Sequence, residues 1–188
     1  MGNYKEISFS DGEETIELIY LETPIDVKDQ SVSLAGFVRS RLFSEDIALV
    51  VDQRPQANLD YDYACAAMDS IGCIRVLMEP EVYPDLICGK AYAMASLFHE
   101  LGHIYHKDLQ DIHRNGLDYD FERLTVIENG EVHEREINAD AFAIRFLNSE
   151  IVFEGLTVLR EKYLAEGEGE NVPTNIELTK RIQALYQG

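Results

Sequence analysis

Apolar positions change period several times along the chain, and those changes divide it into expected strands and helices. Thr15 to Leu21 alternates in part and favours a strand, opened by the turn signal Ser10-Asp11-Gly12 and closed by Thr23-Pro24. From Ser33 onward Leu34, Phe37, Val38 and Leu42 fall at helical spacing and predict a short amphipathic helix. Ile47 to Val51 is a compact, β-branched apolar run that reads as a buried strand, ended by Arg54-Pro55. A second helix is expected over about Asp60 to Ser70, with Tyr61, Ala64, Cys65, Met68 and Ile71 on its buried side and Gly72 just past its end. Cys73 to Met78 is an expected strand, closed by Glu79-Pro80.

The second half reads as mostly helical. Val82 to Leu86 leads into a long helix whose small and apolar side is Ala91, Met94, Ala95, Phe98, Leu101 and Gly102. A glycine inside a helix costs about 1 kcal/mol against alanine, so Gly102 implies the close approach of another backbone. Beyond His106 the pattern turns polar through Asp120; Leu124 to Ile127 is an expected short strand and Asn129-Gly130 a turn. Glu134 to Leu147 predicts a third long helix with Ile137, Ala141, Ile144, Phe146 and Leu147 on its apolar side, and Ala139 and Ala143 permit close packing. Ile151 to Ala165 is helical despite Gly155, Gly167 to Glu170 is an acidic loop, and Thr174-x-x-Glu177 opens a last helix as a capping box, with Ile176, Ile182 and Leu185 buried.

The chemistry concentrates at His99-Glu100-Leu101-Gly102-His103. Residues four apart share a helix face, so both imidazoles can reach one metal ion. Glu100 sits about 100° around the same turn, where a general base for an activated water belongs. A catalytic metal needs a third protein ligand and an open position. A histidine six residues after His103 is excluded, because that position is Leu109 and the glycine expected between them is His106. The alternative is Glu136, 33 positions beyond His103, in the pattern Glu136-Ile-Asn-Ala-Asp140. Asp140, one turn later, can accept a hydrogen bond from a ligand imidazole and fix its tautomer. One zinc ion is the expected cofactor, with manganese or iron as alternatives. For an oxyanion donor or cleft residue the chain offers Tyr83, Tyr105, His106 and Tyr119. His113 and His133 lie in polar surroundings and read as surface residues.

Composition narrows the partners. An apolar fraction of 46% with ten Tyr and eight Phe suits one globular domain over residues 1–188. The net charge of −19 argues against a basic nucleic-acid footprint. No apolar run approaches about 18 residues, so no membrane span is expected, and without a secretory signal the expected location is cytoplasmic. Cys65, Cys73 and Cys88 show no metal-binding spacing and read as buried thiols in a reducing compartment.

The two-part pattern, His99-Glu-Leu-Gly-His103 followed by Glu136-Ile-Asn-Ala-Asp-Ala-Phe-Ala143, resembles the ImmA/IrrE family of metallopeptidases, over roughly Cys73 to Leu147. The resemblance implies an α+β, zincin-like core: a small sheet of about three strands packed on the active-site and third-ligand helices, with further helices at the C-terminal end. It implies that His99, His103 and Glu136 bind zinc and that Glu100 is catalytic. It also implies an intracellular protease of a bacterium, phage or mobile element that cuts a helix-turn-helix repressor. The family's sheet would place Ile74, Val76 and Met78 on an edge strand beside the cleft, where an extended substrate could add. The family's second motif continues into a Leu-Leu-Met-Pro-like end where this chain has Arg145-Phe-Leu-Asn148, and residues 1–72 carry no part of the likeness. A competing expectation is a zincin-fold regulatory protein that binds a partner and cleaves little or nothing.

Overall fold

The computed structural model of the protein describes residues 4–28, 31–55, 63–68, 72–109, 134–165, 167, 169 and 173–186. Among these residues six strands come first: β1 (Tyr4–Ser10), β2 (Thr15–Asp26), β3 (Val32–Arg39), β4 (Ile47–Asp52), β5 (Ala64–Met68) and β6 (Ile74–Met78). Five helices follow: α1 (Val82–Ile87), α2 (Ala91–His106), α3 (Glu134–Leu147), α4 (Ser149–Ala165) and α5 (Pro173–Leu185). The class is α+β, as expected. The sheet, however, has six strands in the order β1-β2-β3-β4-β6-β5 where about three were expected. The expected strand at Leu124 to Ile127, the turn at Asn129-Gly130, and His113, Tyr119 and His133 lie outside the described residues.

Two expected helices are strands. In β3 the buried positions are Ser33, Ala35, Gly36 and Val38, while Phe37 is exposed. A register shift between Leu34 and Gly36 breaks the simple alternation, and the apolar residues then fall by coincidence at helical spacing. In β5 the run Ala-Cys-Ala-Ala-Met has helix-forming composition, yet it pairs antiparallel with β6 along its whole length. Tertiary pairing overrides weak local preference here. The first strand carries little apolar signal; β1 is fixed by full pairing with β2 across a turn in which Asp11 Oδ1 accepts from the N–H groups of Glu13 and Glu14 at 2.8 and 2.7 Å. The next strand continues past Thr23-Pro24, where the β2–β3 register shifts and a residue without N–H is tolerated.

The order of the last two strands bears on the cleft. β6 pairs parallel with β4 on one side and antiparallel with β5 on the other. Ile74, Val76 and Met78 are therefore interior to the sheet; the edge nearest the helices is β5. The chain inserts β6 between β4 and β5, so the strand preceding α1 and α2 cannot be the edge.

The short α1 is separate from α2, divided by a turn at Cys88, Gly89 and Lys90. The Tyr83 hydroxyl donates to the carbonyls of Leu21 and Ala35 (3.0 Å to the latter), which fastens α1 to the sheet. Buried side chains from β2–β6 and from all five helices form one cluster, centred on Phe98, Leu97 and Leu101 of α2. Phe9 of β1 meets Phe98 edge-on at 4.9 Å. Burying a side chain of this size contributes about 1.5–3 kcal/mol. Cys65 is buried as expected, whereas Cys73 and Cys88 are exposed. Among the described residues no helix is long and apolar enough to cross a membrane.

Two glycines set the helix spacing. A Cβ on Gly102 would lie 2.7 Å from the Ala139 Cα, and one on Gly155 would lie 2.5 Å from the Ala95 Cβ. The first is where α2 and α3 cross; the second is where α4 crosses α2. Gly102→Ala would gain about 1 kcal/mol of helix propensity but collide with backbone, and overpacking costs about 1–3 kcal/mol. Because backbone yields less than a side-chain tip, strain wins. Urea unfolding of Gly102→Ala is expected to show net destabilisation by about 1–2 kcal/mol; an unchanged or raised midpoint would mean the helices can part at no cost.

Candidate metal centre

The four-residue spacing on α2 stacks His99 and His103 on one face, with ring planes 89° apart and centroids at 4.6 Å. Their Nε2 atoms are 3.0 Å apart. Glu136, in the first turn of α3, brings Oε2 to 3.0 Å from His99 Nε2 and Oε1 to 3.5 Å from His103 Nε2. One donor atom from each of the three lies within 4.8 Å of the others, so the group can hold a metal ion. Tetrahedral bonds of about 2.0–2.1 Å would set donors roughly 3.3 Å apart, which matches this triangle. His99 and His103 are each 9% exposed and Glu136 is 6% exposed, so all three are nearly buried.

Each imidazole is held from behind. His99 Nδ1 lies 2.9 Å from Asp140 Oδ1, and His103 Nδ1 lies 2.8 Å from Asp108 Oδ2. With each Nδ1–H donated to a carboxylate, both Nε2 lone pairs face the common centre. Asp140 is expected from its place one turn after Glu136. Asp108 is not. It follows Lys107, which ends α2 in the left-handed conformation at φ 64° and turns the chain back on His103. The sequence signal is weak: an aspartate five positions after a ligand histidine, brought near by one backbone reversal.

The second residue without a sequence expectation is Arg181 of α5. Its Nε and one terminal nitrogen donate to the two oxygens of Asp140, both at 2.7 Å. Its other terminal nitrogen is 3.4 Å from Glu136 Oε2 and 3.2 Å from Glu177 Oε1. Glu177 is thus buried against Arg181 rather than exposed in a capping box, and Leu178 supplies the fully buried apolar contact of α5. In the sequence Glu177 and Arg181 look like any surface pair at i, i+4.

Acids outnumber the guanidiniums around the group. Glu136, Asp140, Glu177 and Asp108 are four carboxylates, answered by Arg181 and by Arg135, whose Nε is 3.9 Å from Asp108. Burial and the Arg181 charge oppose protonation of His99, but Glu136 and Asp140 outweigh them and raise its pKa to about 10 without a metal. Burial would push Glu136 up, yet His99, Arg181 and His103 hold it down at about 2. Asp140 is likewise depressed, against its burial, by Arg181 and His99. Burial, reinforced by Glu136, lifts Glu177 to about 7 against the pull of Arg181.

Glu100 is half-buried beside this group, and its Oε2 accepts from the Ala66 N–H of edge strand β5 at 2.7 Å. The three other expected cleft residues among those described go elsewhere. Tyr83 is buried under the sheet, with its hydroxyl on the carbonyls of Leu21 and Ala35. Tyr105, about 200° around the helix from His103, packs on Phe142 at 5.1 Å. His106 is exposed at the end of α2, beside Tyr105. No family model, curated protein or solved structure matches the chain.

Two outcomes follow. A raised pKa stabilises the fold below the unfolded value and loses that effect as pH climbs through the folded value. His99 (6.5 to about 10) and Glu177 (4.5 to about 7) both work this way, while Glu136 (4.5 to about 2) loses its contribution in acid. Urea unfolding in the presence of chelator is expected to show lower stability at pH 9 than at pH 6, and zinc should restore it increasingly at high pH because deprotonated ligands bind metal. A metal-free midpoint that holds level between those pH values would contradict the coupling. Asp108→Ala is expected to weaken metal binding about 10–100-fold in a chelator competition; wild-type affinity would strip Asp108 of its role.

Proposed function

We propose that the protein is a zinc-dependent endopeptidase of the ImmA/IrrE kind, built on a zincin-like core. The observation that carries the reading is the convergence of His99 Nε2, His103 Nε2 and the Glu136 carboxylate, with Glu100 next to them and tied to the strand edge at β5. Two histidines and one glutamate are a donor set suited to zinc with a position left for water and substrate. A zinc ion held there would supply Lewis acidity, acidifying water to a pKa near 7 and polarising a scissile carbonyl.

The chain's own groups do the remaining work. Glu100 Oε2 is anchored on Ala66 N–H, which leaves Oε1 to take a proton from water and return it to the leaving amine. Asp140 and Asp108 keep the two imidazoles from rotating. An extended substrate segment can add along β5, the strand that also holds Glu100, so peptide backbone and base share one reference frame. The substrate we infer is an intracellular protein, a helix-turn-helix repressor, on the strength of the two-part motif alone.

Glu100→Gln tests the assignment. It should retain zinc and lose cleavage of a helix-turn-helix repressor substrate by about 10²–10⁴-fold, and chelator should abolish wild-type cleavage. Full activity in Glu100→Gln would sink the catalytic role, and complex formation with the repressor without chelator-sensitive cleavage would favour a partner-binding protein.

A further inference from the structure

Helix α5 carries a residue that the two-part motif does not contain. α5 is joined to α4 by an Arg160 Nε to Thr179 hydroxyl bond of 2.8 Å and by the Phe153–Tyr186 ring contact at 5.0 Å. Those contacts would serve any helix docked at this place. Arg181 is different: its side chain is 8% exposed, and among the described residues its polar partners are Glu177 and the acids and histidine of the metal group.

The geometry of that contact is specific. Nε and one terminal nitrogen grip the two Asp140 oxygens in a fork, which fixes the plane of the carboxylate. The same Asp140 Oδ1 receives His99 Nδ1 at 2.9 Å, and the Arg181 nitrogen bound to that oxygen lies 3.0 Å from His99 Nδ1. With His99 Nε2 turned to a metal, Nδ1 carries the hydrogen, and Asp140 rather than the Arg181 nitrogen is its acceptor. The third guanidinium nitrogen, near Glu136 Oε2, restrains the carboxylate ligand too. One cation therefore braces two of the three ligand residues from a helix that supplies no ligand itself.

We propose that Arg181 is a positioning residue that makes α5 part of the metal centre, so that docking of α5 and metal occupancy are thermodynamically linked. This rests on the metal reading of His99, His103 and Glu136. Linkage is reciprocal: if a docked α5 strengthens metal binding, bound metal must hold α5 down by the same factor. A lysine in place of Arg181 keeps the charge and loses the fork. A net electrostatic role would survive that change; a positioning role would not.

The test uses the full chain. Backbone hydrogen exchange in α5 is measured with chelator and with Zn²⁺ in the wild type, Arg181→Lys and Arg181→Met, together with zinc affinity by chelator competition. In the wild type, Zn²⁺ is expected to slow exchange across residues 173–185 about tenfold or more; in Arg181→Lys zinc should bind about 10–100-fold more weakly and α5 should no longer respond. Zinc binding by the wild type that leaves α5 exchange unchanged overturns the linkage, and this arm needs no variant to fold. Wild-type affinity and response in Arg181→Lys overturn the fork. A wild type that binds no zinc overturns the metal reading itself, an outcome distinct from either.

Discussion

The separation of α2 and α3 at Gly102 and Ala139 is the constraint on which the centre depends. Helices usually pack 8–10 Å apart, at a distance set by the side chains between them. Here a hydrogen faces backbone, and a methyl group in its place would come within 2.7 Å of the Ala139 Cα. His103 follows Gly102 directly, and Asp140 follows Ala139. The residues on either side of the closest approach are thus the ones that must meet across it. Donor distances of 3.0–3.5 Å between His99, His103 and Glu136 require that separation. The apolar anchors Phe98 and Leu101 on one helix and Phe142 and Ala143 on the other hold it by burial rather than by polar bonds.

Burying so many acids beside two imidazoles is expensive unless each finds a partner. The arrangement answers this with layers. Glu136 faces the two imidazoles, Asp140 and Asp108 stand behind them, and Arg181 and Arg135 stand behind the aspartates. Positive and negative groups alternate outward from the centre. Glu177 is the outermost acid and the one whose ionisation burial opposes most openly. A site of this kind is stiff, because rotating any one side chain breaks a charged hydrogen bond in a place with little water to replace it.

How far the sequence can be read depends on the distance over which each residue acts. His99, His103, Glu136 and Asp140 announce themselves, since each pair is set by one helix's own geometry and Gly102 marks the crossing. The spans of α3 and α4 are legible from their apolar content, but the buried face of α3 is not fully so. Ile137 and Ala141, expected on it, are exposed, and Ala139, Phe142 and Ala143 take their place beside Phe146 and Leu147. β3 is not legible, because three of its four interior positions are Ser33, Ala35 and Gly36, which count as small or polar in any hydrophobic pattern. β5 escapes because alanines and methionine favour helices until a neighbouring strand claims them. Asp108 depends on a single αL residue, and Arg181 depends on where a helix docks 41 positions after Asp140. Neither leaves a local trace. The edge strand differs from expectation for a topological reason: chain order places β6 next to the helices, while pairing places β5 there.

The distance of Arg181 along the chain has a consequence in time. Synthesis proceeds from the N-terminal end at about 5–20 residues per second, and folding of a domain follows emergence. β1 to β6 and α2 are made first, and His99 with His103 exist well before the carboxylates of α3. The brace on Asp140 arrives later still, several seconds after the histidines at those rates. During that interval a nascent chain has both imidazoles and no fixed geometry for them. A ribosome-bound chain therefore has no brace on Asp140 until α5 has been made, and a chain ending before Arg181 would lack it altogether.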